Sequence, residues 1–157
     1  MKTIRRRRHE GKTDYKARLH LLKSEKLRLV VRKTNRYLIA QIVESNLAQD
    51  KTLVKVTSKD LLEKGWPKEN SGSLKSLAAA YLTGFMLGKS TKSFAKEVIL
   101  DSGLHRNVVG SRIYALVKGA ADAGLNIPHN KEILPSLERI KSSSKHGALV
   151  ERLKEKL

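Results

Sequence analysis

The sequence predicts an α/β (α+β-like) fold: a small mixed β-sheet in the order β-β-β-α-β-α, helices packed on it, a basic N-terminal extension and a C-terminal tail. Three observations carry this. Short β-branched runs crowd between Leu27 and Thr57. An apolar run with helical spacing starts at Leu74. A brief apolar stretch, Val98-Ile99-Leu100, then precedes a second helical pattern. With 157 residues, 39% of them hydrophobic, the chain has enough apolar material for one domain. The expected division is an extension over 1–25, a mixed-sheet body over 26–127 and a tail with short helices over 128–157.

In the extension, Tyr15 to Leu22 forms a short amphipathic stretch in which Leu19 and Leu22 share a face. Leu27-Arg28-Leu29-Val30-Val31-Arg32 alternates in part and reads as the first strand. Lys33-Thr34-Asn35-Arg36 is a polar connection, and Tyr37 to Val43 resumes strand character, so the two runs read as a hairpin. A turn over Glu44 to Asp50 leads to Lys51–Thr57, a half-exposed strand suited to a sheet edge. Ser58 is expected to cap a short helix that stops at Gly65.

Ser73 is expected to cap the main helix, Leu74 to about Lys89, whose Leu74, Leu77, Ala78, Tyr81, Leu82 and Phe85 make one buried stripe. The crossover should return the fourth strand parallel to the first. Asp101-Ser102-Gly103 closes that strand. A second helix is expected from Ser111 to Ala123 with Gly124 at its stop. Pro135 and Ser142-Ser143-Ser144 mark a looser tail, and Val150 to Leu157 is a candidate terminal helix.

Charge is distributed unevenly. From Met1 to Arg36, fourteen Lys or Arg stand against three acids, so this stretch holds eleven of the chain's net +18. Like charges repel and gain nothing from burial, whereas each one set against a phosphate releases condensed counterions. A pI near 10.3 leaves nucleic acid or an anionic membrane as the partners to consider. A membrane surface would pair the cations with an apolar face bearing Trp or Phe, and residues 1–25 offer Leu19, Leu21 and Leu22 instead. A mean hydropathy of −0.43 fits a soluble protein, and a secretory signal would need an apolar stretch of about seven residues after the cationic start. Aromatic residues are 4% of the chain, too few for a base-stacking platform.

Catalytic signatures fail one by one. Gly84 to Ser90 has three residues between its glycines where a phosphate-binding P-loop needs about four. It also ends a helix rather than opening one, so Gly88 reads as a cap and Lys89 as a cation facing the dipole. His9, His20, His105, His129 and His146 show no helical pairing, and the chain has no cysteine, so no metal or cofactor is expected. The strand order also fits RNase H-like nucleases, which hold two metal ions on carboxylates from the first strand. Leu27 to Arg32 contains no acid. The chain reads as a non-enzyme.

Blocks in order along the chain resemble a known family. Glu10-Gly11-Lys12-Thr13-Asp14-Tyr15-Lys16-Ala17-Arg18-Leu19 and Arg28 through Tyr37 carry the likeness first. Ala79-Ala80-Tyr81-Leu82-Thr83-Gly84, Leu87-Gly88-Lys89, Asp101-Ser102-Gly103-Leu104, Gly110-Ser111-Arg112, Lys118-Gly119-Ala120 and Ala123-Gly124-Leu125 with Ile127-Pro128-His129 continue it. Together they resemble the large-subunit ribosomal proteins called L-eighteen, in the archaeal and eukaryotic branch whose eukaryotic member is L-five.

The resemblance implies a cytoplasmic ribosomal constituent that binds 5S rRNA and seats it in the central protuberance. Its implied neighbours are large-subunit rRNA, the other 5S-binding ribosomal protein and adjacent large-subunit proteins. It maps RNA contacts onto the arm from Arg5 to Arg18 and onto the hairpin tip from Arg32 to Arg36. The residues expected to meet RNA are Arg5, Arg6, Arg7, Arg8, Lys12, Tyr15, Lys16 and Arg18 on an arm that orders on RNA, with Tyr15 stacking on a base or packing on Leu19. Arg28, Arg32, Lys33, Thr34, Asn35 and Arg36 are expected as a preorganised platform. Lys89, Arg106, Arg112 and Lys118 are expected from the helix side. A free-standing basic RNA chaperone or regulator is the alternative, with a nuclease behind it.

Overall fold

The computed structural model describes residues 4–46, 49–93, 97–142 and 147–157. In chain order its elements are α1 (Arg6–His9), α2 (Tyr15–Lys23), β1 (Leu27–Lys33), β2 (Leu38–Asn46), β3 (Gln49–Thr57), α3 (Leu77–Thr91), β4 (Val98–Asp101), α4 (Arg112–Asp122), α5 (Leu137–Ser142) and α6 (Gly147–Lys156). The four strands form one mixed sheet in the order β3-β2-β1-β4. β1 is antiparallel to β2, from Arg28 opposite Val43 to Lys33 opposite Leu38, and parallel to β4, from Leu27 opposite Val98 to Val30 opposite Asp101. The predicted hairpin, edge strand and parallel return are all present. The turn expected after Glu44 narrows because β2 and β3 run further than the pattern suggested, and its residues 47–48 lie outside those described.

Leu29 and Val31, completely buried, project from β1 into a cluster with Ala40, Ile42, Leu87, Leu116 and Val117. This core joins the sheet to α3 and α4. The two helices meet through glycine: a Cβ at Gly84 would lie 2.0 Å from the Leu116 carbonyl oxygen, and one at Gly119 would lie 2.0 Å from that of Tyr81. The Tyr81 hydroxyl also donates to the Asp122 carboxylate at 2.7 Å, and burial, followed by that carboxylate, raises the phenol's pKa. Gly84 and Gly88 are therefore contact positions inside α3, and the cap assigned to Gly88 is corrected: the helix continues to Thr91.

Two other starts move. Ser76, not Ser73, caps α3 by accepting from the Ala79 N–H at 3.2 Å. Leu74 instead ends a 3-10 stretch over Lys68–Ser73 and is buried. Ser58 caps nothing: it is buried, and its Oγ accepts from the Leu38 N–H at 3.0 Å. The short 3-10 turn Asp60–Leu62 is tied to β3 by Asp60, which accepts from Thr57.

The tail does have short helices, and they join the body. Ile140 of α5 and Val150 and Leu153 of α6 are buried with Leu61, Trp66, Leu74 and Ala78 in a second apolar cluster. Ser143 and Ser144, expected to loosen this region, lie outside the described residues.

Candidate nucleic-acid interface

The arm is organised by caps and charge rather than by burial. Asp14 caps α2, its Oδ1 accepting from the N–H groups of Lys16 at 2.9 Å and Ala17 at 3.1 Å. No residue of α2 is buried, and Leu19 is 54% exposed. Arg7 Nε donates to Thr13 at 3.0 Å, Lys12 and Arg6 pair with Glu10, and the Arg5 guanidinium lies 4.9 Å above the Tyr15 ring. Tyr15 thus meets Arg5, a third use beside stacking on a base or packing on Leu19. Arg8 and Lys16 are exposed.

Among the described residues, the arm's ion pair with the sheet is made through Asp50. Arg18 Nη2 lies 2.7 Å from Asp50 Oδ2 at the start of β3, while Asp50 Oδ1 accepts from Ser45 at 2.7 Å and from Arg28 at 2.8 Å. Burial on its own would raise the Asp50 pKa; the hydrogen bonds from Arg18, Ser45 and Arg28 and the Arg28 charge outweigh it and hold the group at about 2.

Arg28 is corrected here. It is 1% exposed, and its guanidinium spans Asp50, Ser45 and, at 3.0 Å, Asp101 of β4. It cannot reach a phosphate in this arrangement. A buried cation needs carboxylates around it because desolvation costs several kcal/mol per ion. Asp101 also accepts from Arg32 Nη2 at 3.1 Å, and its carbonyl oxygen accepts from Arg32 Nη1 at 2.8 Å. Arg18, Arg28 and Arg32 thus share two acids, so the network stays net positive. Arg32 remains partly open, its side chain 40% exposed.

At the hairpin tip Lys33, Asn35 and Arg36 are exposed. Thr34 is spent on the turn itself: its hydroxyl donates to the Tyr37 carbonyl at 2.6 Å and accepts from the Tyr37 N–H at 3.0 Å. Assigning Thr34 to RNA overlooked that internal use. The tip leans on the loop after β4, where His105 Nε2 accepts from the Lys33 N–H at 3.1 Å. Burial, then the charges of Lys33 and Arg32, lower the His105 pKa, which favours the neutral ring that this hydrogen bond requires.

Two grooves flank that loop. One runs between arm and sheet and is lined by Arg7, Lys12, Arg18, Arg32 and Leu104. The other is lined by Lys33, His105, Arg106, Arg112 and Arg139. The structure therefore brings the arm, Arg32, the hairpin tip, Arg106 and Arg112 onto adjoining surfaces. It does not bring Lys89 or Lys118 there. Lys89 sits 5.0 Å from the Phe85 ring beside Val56 and Asp60, in another groove. Lys118 Nζ donates to the Pro135 carbonyl at 2.7 Å and so anchors the tail. Sequence reasoning missed the roles of Asp50, His105 and Arg139, and read Asp101 as the close of the fourth strand. The signal available for the acids was their scarcity near so many arginines.

Among the described residues no group of three or more His, Asp or Glu is placed to hold a metal, and no helix is long and apolar enough to cross a membrane. A mixed-sheet body thus carries a capped cationic arm and exposed cations around the hairpin tip. Its sequence fixes the family. The model for the ribosomal large subunit proteins 60S L5 and 50S L18 matches residues 1–94 and 88–130, and the chain belongs to that family of non-enzymatic ribosomal constituents. Large ribosomal subunit protein uL18 of Methanospirillum hungatei is 47% identical over 137 residues, covering 87% of this chain and 76% of that protein. The uL18 of Methanothermobacter thermautotrophicus is 47% identical over 137 residues, covering 87% and 69%. That of Aeropyrum pernix is 44% identical over 138 residues, covering 87% and 63%.

Proposed function

We propose that this chain binds 5S rRNA as a constituent of the large ribosomal subunit in the cytoplasm, holding that RNA in the central protuberance beside large-subunit rRNA and the other 5S-binding ribosomal protein. The observation that carries the reading is the continuity of exposed cations from the arm, through Arg32 and the hairpin tip, to the loop after β4. Folded RNA is read chiefly through phosphates, 2′-hydroxyls and shape, which suits arginines held on a rigid frame. Arg5 to Arg8, Lys12, Lys16 and Arg18 approach from the arm; Arg32, Lys33, Asn35 and Arg36 from the platform; Arg106 and Arg112 from the helix side. Arg28 acts from inside, fixing the spacing between β1, β3 and β4 on which Arg18 and Arg32 depend.

A competition gel shift tests this reading. Labelled 5S rRNA bound to the full chain should resist an excess of tRNA of similar charge, whereas a general RNA chaperone would release both alike. Equal displacement by the two RNAs contradicts the proposal.

A further inference from the structure

The groove behind the hairpin tip gathers charge without compensation. Lys33, Arg106, Arg112 and Arg139 all line it, and none of them pairs with an acid among the described residues. Elsewhere the same chain spends its scarce acids on its arginines, as Asp50 and Asp101 show. The helix that opens onto this groove deepens the contrast. α2 and α3 have side-chain caps, whereas Ser111 makes no cap hydrogen bond to α4, and its buried Oγ has no partner among the described residues. No acid occupies the first turn of α4; Arg112 stands there instead, a cation at the positive end of the helix dipole.

Arg139 is brought in by the tail. The Gly110 N–H donates to the Ile133 carbonyl at 2.9 Å, and Lys118 holds Pro135, which places α5 beside the loop. Gly110, at φ +65°, lets the guanidinium rest on it: a Cβ there would lie 2.6 Å from Arg139 Nη1.

We propose that Arg139, delivered by the carboxyl-terminal segment, completes with Lys33, Arg106 and Arg112 a phosphate-binding pocket at the start of α4, which takes one backbone phosphate of the bound RNA. This rests on the function proposed above and extends it to a part of the chain with no assigned role. A single anion would relieve the repulsion among the four cations, accept from Ser111 and the first-turn N–H groups, and reverse the unfavourable end charge of α4. RNA is the occupant that charge and continuity favour, because Lys33 belongs at once to this groove and to the hairpin tip.

The test uses the full chain with 5S rRNA and four variants. Arg112→Gln and Arg139→Gln each should lower affinity roughly tenfold or more. Each should also make the slope of log K against log salt shallower by about 0.7–0.9, the loss of one phosphate. The double variant should lose no further slope, since both arginines hold the same phosphate. Ser111→Asp places a carboxylate where the phosphate would sit: it should cost the same slope yet raise Tm by roughly 2–4 °C through capping. Wild-type slope and affinity in all four variants, with the unmodified chain still steeply salt-dependent, would overturn the pocket while leaving RNA binding intact. Slope losses that add in the double variant would also overturn it, by assigning the arginines to separate phosphates. A shallow slope in the unmodified chain would remove the pocket and the proposed function together.

Discussion

The α3–α4 pair and the α2 arm are both helical, but they hold their places by opposite means. In α3 eleven of fifteen residues are buried, and its glycines bring backbone onto backbone. In α2 no residue is buried, and among the described residues Arg18 ties it to the sheet by an ion pair with Asp50. Packing fixes the first pair at one distance because interiors have no room to give. Charge positions the second and leaves its cations facing solvent. Such division suits a protein whose body sets geometry and whose arm meets a polyanion: apolar burial would hide the groups that a phosphate must reach.

The largest effect should come from breaking the packed side. Gly119→Ala gains about 1 kcal/mol of helix propensity. Against this, the new methyl would stand 2.0 Å from the Tyr81 carbonyl oxygen, a backbone atom that cannot step aside. Overpacking of this kind costs ~3 kcal/mol or more, so denaturant melts should show a strongly destabilised chain. Comparable in size is Arg28→Ala. It leaves Asp101, 7% exposed, with Arg32 and the Gly103 N–H as its partners among the described residues, and removing one partner of a buried pair costs roughly 3–5 kcal/mol. Chemical denaturation measures this directly. A loss under about 1 kcal/mol would put Arg28 among the surface cations.

The arm should behave in the opposite way. Removing residues 1–23 should shift Tm by no more than roughly 2–4 °C, the equivalent of about 1 kcal/mol for a chain of this size. Gel shifts of the same truncation should show a much weaker complex with 5S rRNA and a salt slope shallower by several phosphates. A large fall in Tm would show that the arm belongs to the core.

The smallest effect concerns pH. The folded pKa of Asp50, about 2, lies below its ordinary value of 3.8, so between them the unfolded chain binds more protons. The stabilisation is complete above about pH 4 and is lost as the pH falls toward 2. Because the carboxylate is about a third exposed, solvent screening reduces the contribution to ~1 kcal/mol or less. Acid titration of stability in the intact chain and in Asp50→Asn measures it: the two curves should converge at low pH.

The order of strands and helices was legible in the sequence because each element has a clean period. Leu29 and Val31 point one way from a strand, and Ile113, Leu116, Val117 and Ala120 line one side of a helix. The edge position of β3 was legible in its lysines. What the sequence hid depends on partners far along the chain. Arg28 alternates with Leu27 and Leu29 as a solvent residue would, and nothing nearby announces that Asp50 and Asp101 converge on it across the sheet. Gly88 resembles a cap until α4, some thirty residues later, is seen pressed against it. Ser73 reads as the cap of α3, and the 3-10 stretch Lys68–Ser73 that moves the start of the helix to Ser76 has no clear period in the sequence. Arg139 sits in no motif; the backbone bond from Gly110 to Ile133 is what gives it a place.

The central claim is that exposed cations on a rigid frame neutralise RNA phosphates, and the salt dependence of binding measures that most directly. Affinity of the full chain for 5S rRNA, titrated across ionic strength, should give log K falling with log salt at a slope of about −6 to −7, as for roughly eight phosphates. A slope shallower than about −2 would contradict the account.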